Sequence, residues 1–185
     1  MSKKLTKLKR ICMIALTSLA ITACSVSIDG NQYQTIEPAF NLEQFFTGKV
    51  RAWGIVQNRS GDVVQRFIVD IDGSIQDERL VLDETFTYGV GEGPEKRIWT
   101  IEQVGPNLYS GSAGDIAGLA EGRSFGNAFN FRYEMDLPVD DTEYRVKFDD
   151  WFWAFDDQTM MNRSYIKKFG FVMAEVTIFM QKQQS

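Results

Sequence analysis

From Gly48 to the C-terminal region, apolar and polar positions alternate with a period of two. The stretch "GNAFNFRYEMDL" (126–137) shows it best: Asn127, Phe129, Phe131, Tyr133, Met135 and Leu137 fall on one face, and Ala128, Asn130, Arg132, Glu134 and Asp136 on the other. Such alternation predicts a strand with one buried and one wet face. Similar segments lie at 48–58, 62–72, 75–88, 96–104, 108–118, 142–156, 159–168 and 171–182, separated by the turn signals "RSGD", "DIDG", "YGVGEGP", "VGPN" and "LAEG". The Asp72-Gly73 step is the sharpest hairpin cue, because a type I′ turn needs positive φ at its central residues. One short helix precedes the strands in "PAFNLEQFFTGK": Pro38 can open it, Asn41 is a candidate N-cap, Phe45 and Phe46 supply its apolar side, and Gly48 ends it. About nine antiparallel strands in sequence order, without the spacing of β-α-β units, predict an all-β antiparallel meander barrel of about 8–10 strands. A two-sheet sandwich is the alternative.

The first 36 residues follow a different pattern. "MSKKLTKLKR" carries five positive charges and no acid, and an apolar run from Ile11 to Ile21 follows. A basic start followed by an apolar run too short to span a bilayer reads as a secretory signal. It ends in Ile21-Thr22-Ala23-Cys24, which resembles the bacterial lipobox, in which the cysteine thiol is lipidated and becomes the new N-terminus. The expected organisation is a signal peptide over 1–23, a lipid-anchored tether over 24–36 and one barrel domain over 37–185. Ser25 rather than Asp after the cysteine resembles the sorting pattern for the outer membrane of a Gram-negative cell. The expected address is therefore the periplasmic face of that membrane, with palmitate-type acylation at Cys24 as the membrane contact.

Charge and composition narrow the functions. The whole chain has 20 Lys+Arg against 25 Asp+Glu. Loss of the five basic signal residues would leave 15 against 25, a net of −10, which argues against nucleic acid as a partner. With Cys12 in the signal and Cys24 lipidated, no disulfide forms within one chain. Histidine is absent, which removes the commonest general base and the commonest metal ligand. No metal or cofactor is expected. All 24 aromatic residues follow the signal.

The densest stretch for chemistry is "KFDDWFWAFDDQTMMNRSY" (147–165). Strand alternation sends Asp149 and Asp150 to opposite faces, and likewise Asp156 and Asp157. The same-face acids Asp150 and Asp156 are six residues apart, ~20 Å at strand rise, too far for the roughly 5–9.5 Å of a glycosidase pair. Asp150 shares a face with Phe148, Phe152 and Ala154. If that face lines the interior, Asp150 needs a cationic or hydrogen-bonding partner. Candidates are Arg97, Arg132, Arg163 and Asn162, and Glu84 and Glu175 raise the same question in their own strands. Phe129, Phe131, Tyr133, Phe148, Asp150 and Phe152, with Ile178 and Met180, are the candidate wall of a ligand pocket, since a barrel of this strand count can hold one small ligand.

Other motifs carry less. "GVGEGP" lacks the Lys-Ser/Thr ending of a phosphate-cradling loop and reads as a turn. Ser110 and Ser112 in "YSGSAGDIAGLAEG" have no histidine to activate them, and small residues in strands mark tight bends or close packing. "DIDG" lacks the remaining ligands of a calcium loop.

Two resemblances follow from these residues. "FNLEQFFTGKVRAWG" resembles the helix-to-first-strand start of lipocalin-type (calycin) barrels, except that the Trp follows Gly48 by five positions instead of two. "FFTGKVRAWGIVQNRSGDVVQRFIVDIDG", "LDETFTYGVGEGPEKRIW", "GNAFNFRYEMDL", "FDDWFWAFDD" and "MNRSYIKKFGFVMAEVTIFM" are similar to a family of Gram-negative lipoproteins catalogued as domain of unknown function 3833. That resemblance implies lipid or membrane-stress work, through an association with fatty-acid-modifying enzymes, and brings no catalytic residues with it. The expected function is binding or carrying a small apolar ligand such as a fatty acid or modified lipid. A structural or interaction module of the envelope, its protein partner unknown, is the second expectation, and a lipid-modifying enzyme without histidine is the third.

Overall fold

A computed structural model describes residues 26–139 and 142–183; the expected signal and the lipidation candidate Cys24 lie outside the described residues. Ten antiparallel strands in sequence order form the fold: β1 (Gly48–Asn58), β2 (Val63–Gln76), β3 (Arg79–Val90), β4 (Lys96–Gly105), β5 (Leu108–Ala113), β6 (Ile116–Phe125), β7 (Ala128–Val139), β8 (Thr142–Ala154), β9 (Thr159–Lys168) and β10 (Phe171–Lys182). Each pairs with its chain neighbours, and β10 returns to pair with β1 from Val50↔Lys182 to Asn58↔Ala174. The meander is therefore a closed barrel with no free edge along the ring. A two-sheet sandwich is ruled out.

The strand count rises from nine to ten because the segment expected at 108–118 is two strands. Its turn falls at Gly114-Asp115, and "LAEG" lies inside β6 instead of between strands. The small residues there serve packing. A side chain at Gly111 would overlap the Phe131 ring, and one at Gly122 would crowd Phe129, so this part of the wall is thin where two rings from β7 lie against it.

The hairpin cue at Asp72-Gly73 is also overturned. β2 runs straight through it to Gln76, and the turn is made by Asp77 and Glu78, both at positive φ (49° and 61°), as a two-residue type I′ loop requires. Gly73 is glycine for another reason. It pairs with Gly48 on β1 and Leu82 on β3, and a Cβ there would overlap the carbonyl oxygen of Phe46. The helix end sits directly on the strand backbone.

That helix, α1 (Leu42–Phe46), starts as its sequence suggests: the Asn41 side chain accepts from Gln44 N at 2.9 Å. Phe40, Leu42, Phe45 and Phe46 are all buried, each contributing about 1.5–3 kcal/mol on burial, and they close one end of the barrel. Lys182, at the end of β10, donates from Nζ to the carbonyls of Gln44, Phe45 and Thr47 at 2.8, 3.0 and 2.8 Å. A cation thus satisfies the acceptors that a helix C-terminus leaves open and ties the plug to the strand that closes the ring.

The residues ahead of α1, expected as a tether, lie against the outer wall from Val26 onward. Val26, Ile28 and Tyr33 pack on Ala128, Trp151 and Tyr165. An Asp29-capped 3-10 turn (Gly30–Tyr33) fits Gly30 against the Phe125 ring. Trp151 and Trp153 therefore face outward, yet Trp151 is 1% exposed, stacked with Phe125 at 5.9 Å and with Trp153 at 6.2 Å.

Gly73→Ala is expected to destabilise the barrel by roughly 2–4 kcal/mol through displacement of the plug helix, read as a fall in the denaturant midpoint. Gly114→Ala, in open space with ordinary φ, is expected to stay within about 0.5 kcal/mol of the parent. Equal effects at the two sites would contradict this account of Gly73.

Candidate functional site

The inward faces of the ten strands enclose a cavity of about 1140 Å³, just above the ~300–1,000 Å³ of ordinary ligand pockets. Leu42 and Phe46 form part of its floor. It reaches the opposite end of the barrel, where Arg59, Gly91–Pro94, Tyr144, Lys168 and Phe169 line it. Those residues belong to the strand connections and ends farthest from α1, so the mouth is at that end. Phe169 is 88% exposed there, at a φ of 51°.

Alternation decides which side chains reach this space. On β7 and β8 the pairs Phe129↔Phe152, Phe131↔Asp150 and Tyr133↔Phe148 all point inward. All six expected wall residues line the cavity, as do Ile178 and Met180. Tyr133 and Phe148 stack with centroids 4.9 Å apart and planes 6° from parallel. From β4, the Trp99 ring meets Phe131 and Tyr133, each at 5.2 Å, so side chains of β4 and β7 touch across the interior.

Within this apolar wall lies a polar cluster. Glu84 on β3 is the register partner of Arg97 on β4, and both line the cavity. Arg97 donates from Nε and Nη2 to Asp115 Oδ2 at 2.9 and 2.7 Å, with its guanidinium carbon 5.8 Å from the Phe86 ring centre. On the far wall, Tyr133 donates its hydroxyl proton to Asp150 Oδ2 at 3.2 Å. Ser164, opposite Asp150 on β9, turns its hydroxyl to Asn162 Oδ1 at 3.3 Å. Asn162 is itself 1% exposed and donates to the Trp151 carbonyl.

The other candidates lie outside the barrel. Arg163 and Glu175 face each other on the outer wall at 3.8 Å, both about 40% exposed. Arg132 is also outside, pairing with Asp149 at 3.1 Å. None of these three can meet Asp150, because each sits one residue out of phase with an inward position. Asp115 is the member that sequence reasoning missed: it sits in a turn 18 residues from Arg97, and no periodicity announces the contact.

Neighbouring acids end up in opposite states. Burial alone would raise the Asp149 carboxyl, but Lys167 at 2.6 Å, Asn130 at 2.9 Å and Arg132 at 3.1 Å outweigh it and hold it below the usual carboxylate range. Lys167 also donates to the Val26 carbonyl at 3.0 Å, so this ion group fastens the N-terminal segment to the wall. Asp150 has no such company. Burial pushes it from 3.8 up to about 7, against the opposing pull of Ser164, Tyr133 and Arg97. Glu84 is pushed to about 7 by burial as well, with Arg97 opposing and the nearby acids adding to the rise. Tyr133 is driven well above 10, first by burial and then by Asp150. Arg97 is disfavoured by burial, but Tyr133, Glu84 and Asp115 raise it overall, so it stays charged.

The chain belongs to the family described as "Protein of unknown function (DUF3833)", whose model matches residues 18–182. Among solved structures it is similar to an S-type phycobiliprotein lyase from Guillardia theta, with a TM-score of 0.58 and 15% identity over 83% of this chain and 99% of that one. It is also similar to a protein of unknown function from the DUF3598 family of Nostoc punctiforme, with a TM-score of 0.57 and 11% identity over 80% of this chain and 51% of that one. The chain thus spans about half of the second protein. At such identities the likeness concerns the barrel fold alone. No curated protein matches.

The raised acids set the pH dependence of stability. The folded form holds protons at Asp150 and Glu84 that the unfolded chain releases from about pH 4 upward, so native stability falls as pH rises from about 4 to about 7. Asp150→Asn is therefore expected to stabilise the protein at pH 8 by on the order of 1–3 kcal/mol and to have little effect at pH 5, measured by denaturant titration at both pH values. A destabilised variant at pH 8 would show that the Asp150 carboxylate is compensated.

Proposed function

We propose that this protein binds or carries a small apolar ligand inside its barrel, and that it does so from the periplasmic face of an outer membrane, held by lipid on Cys24. The observation that carries the binding function is the cavity: about 1140 Å³, walled by Phe129, Phe131, Phe148 and Phe152, and reaching an open end. Apolar surface left in contact with water inside a closed barrel is a standing cost that an apolar guest removes, about 25 cal/mol for each Å² covered. A polar group buried in such a wall fixes the orientation of the guest. Similarity in fold to a phycobiliprotein lyase is compatible with this reading and specifies no substrate. Fatty acids and modified lipids have suitable apolar bodies, and the polar cluster discriminates between their head groups.

The anchoring proposal rests on the leader and on Ile21-Thr22-Ala23-Cys24. The described chain suits it, because Val26 lies on the outer wall, where Lys167 holds its carbonyl. A lipid two residues earlier would place that side of the barrel near the membrane.

Material purified from the native host is expected to release a stoichiometric apolar compound on solvent extraction, detected by mass spectrometry. The barrel emptied of it is expected to bind the uncharged dye Nile red, and Ala174→Trp, which projects a large side chain into the cavity, to weaken that binding at least tenfold. An extract free of ligand together with no dye binding would defeat the carrier function. Separately, Cys24→Ala is expected to abolish incorporation of labelled palmitate and to move the protein from the membrane fraction to the soluble one. Continued membrane association would defeat the anchor.

A further inference from the structure

We infer that the open end of the barrel docks on a phospholipid surface, with the β9–β10 turn at Phe169 inserted among the lipids, so that the cavity opens onto the same membrane that holds the Cys24 lipid. This goes beyond the carrier function proposed above and rests on the anchor proposed with it.

The first observation is where the N-terminal segment runs. Tyr33 meets Trp151 and Trp153, each at 6.1 Å, and its carbonyl fills the space where Gly126 lacks a Cβ, at the plug end of the barrel. Seven residues earlier, the Val26 carbonyl accepts from Lys167 Nζ, which also holds Asp149. Trp153 is one residue from the plug end of β8, and Asp149 is four residues nearer its mouth end. Lys167 is the last residue but one of β9, whose end is at the mouth. Followed toward its start, the segment therefore climbs the outer wall from plug to mouth. Two residues span at most ~7 Å, so a lipid on Cys24 attaches within that distance of Val26, beside the strand that leads into the Phe169 turn.

The second observation is what the mouth presents there. Val64, Tyr144, Phe169, Phe171 and Met173 line it and are nonetheless 41–88% exposed. They come from β2, β8, the β9–β10 turn and β10, which with β9 and β1 form one continuous run of the ring. The result is an apolar arc that continues the cavity wall outward. Phe169 is its extreme member, 88% exposed and at a φ of 51°, a turn position that suits Asn or Gly better than a bulky ring. Lys168 sits between two rings, its Nζ 5.5 Å from the Tyr144 centre and 5.0 Å from that of Phe169. A lysine among aromatic residues suits the boundary between lipid and water, because its stem can lie along apolar surface while its charge stays wet. The other rim charges are of both signs, Arg59 with Asp62, Glu92 and Glu143, so no excess of positive charge draws this end to anionic headgroups. Insertion of apolar side chains is what the rim offers, and neutral lipids satisfy it.

The test uses the full chain, expressed with its leader, purified as the mature protein and reconstituted into phosphatidylcholine vesicles; its mass reports the lipid on Cys24. An environment-sensitive dye on Phe169→Cys is read against the same dye on Phe155→Cys, a ring 61% exposed in the turn at the plug end. Quenching by a nitroxide-labelled lipid is expected to be about fivefold stronger at 169 than at 155, and to persist in high salt. With the dye on Met173→Cys instead, Phe169→Asp is expected to cut the quenching about fivefold. Aspartate tolerates the left-handed turn position, so the change tests insertion and not folding. Equal quenching at both ends, or none at 169 in a lipidated protein, overturns the docking and leaves the anchor standing. Quenching that salt abolishes, or that Phe169→Asp leaves unchanged, overturns it as well. So does a dye at 169 that a second copy of the chain shields and the lipid quencher does not reach. A mature protein of unlipidated mass removes the anchor itself, and the inference falls with it.

Discussion

The pairing of β10 with β1 is the constraint on which the rest of this molecule depends. Closure fixes ten strands around one axis, and the diameter of a barrel grows with its strand number. At eight strands, side chains can fill a barrel; at ten, even Trp99, Phe129, Phe131 and Tyr133 pointing inward leave the space that becomes the cavity. The hollow interior follows from strand number and not from a shortage of large residues. Closure also needs something to seal the end away from the mouth. Four buried apolar side chains around α1 do that, and Lys182 joins the helix to the closing strand through three carbonyls. The plug and the seam are thus one assembly.

Once the barrel is closed, each strand has one face toward the cavity and one toward the outside, and side-chain parity decides environment more strongly than residue type does. Asp149 and Asp150 are the same amino acid one peptide apart. One points outward into Lys167, Arg132 and Asn130 and holds its charge; the other points inward among rings and gives it up near neutrality. The outer member is structural, since Lys167 joins it to the Val26 carbonyl. The inner member and Glu84 are raised by burial, so they cost the folded protein stability as pH rises from about 4 to about 7.

Much of the fold was legible because alternation survives in the sequence wherever one strand face is wet. It located nine strand segments, the early helix and the Asn41 cap. It failed where glycine has two uses. Gly73 resembles a turn residue in "DIDG" but clears room for the Phe46 carbonyl, while the real turn takes Asp77 and Glu78 at positive φ. In "GSAGDIAGLAEG" Gly111 and Gly122, which make room for Phe129 and Phe131, hid the turn at Gly114-Asp115. The site was legible in its aromatic part for the same reason as the strands. The rings of β7 and β8 show their phase in the sequence, and Asp150 goes with Phe148 and Phe152. Its partners were legible only in part: Arg97 and Asn162 line the same cavity as Asp150. Arg132, Arg163 and Glu175 belong to the right strands, but which side they face depends on register and on the sense of each strand, and all three fall outward. "WFW" carried a second signal. Apolar residues on both faces of one strand mean that both faces are covered, and Trp151 beneath Tyr33 and Phe125 shows what covers the outer one.

An interior that holds two buried acids is expensive for an empty barrel at high pH, and simple substitutions could make it apolar. Asp115 adds weight to this point. It draws the guanidinium of Arg97 into a two-donor contact, with the arginine side chain 16% exposed. Arg97 nonetheless opposes the rise at Glu84, its register partner, and at Asp150. The cluster therefore shares one cation among three acids. Here Arg97 gives two donors to Asp115, Tyr133 gives its proton to Asp150, and both Glu84 and Asp150 line the cavity. A guest covers the rings with its apolar body, and whatever polar group it carries meets this mixed set of acids and arginine.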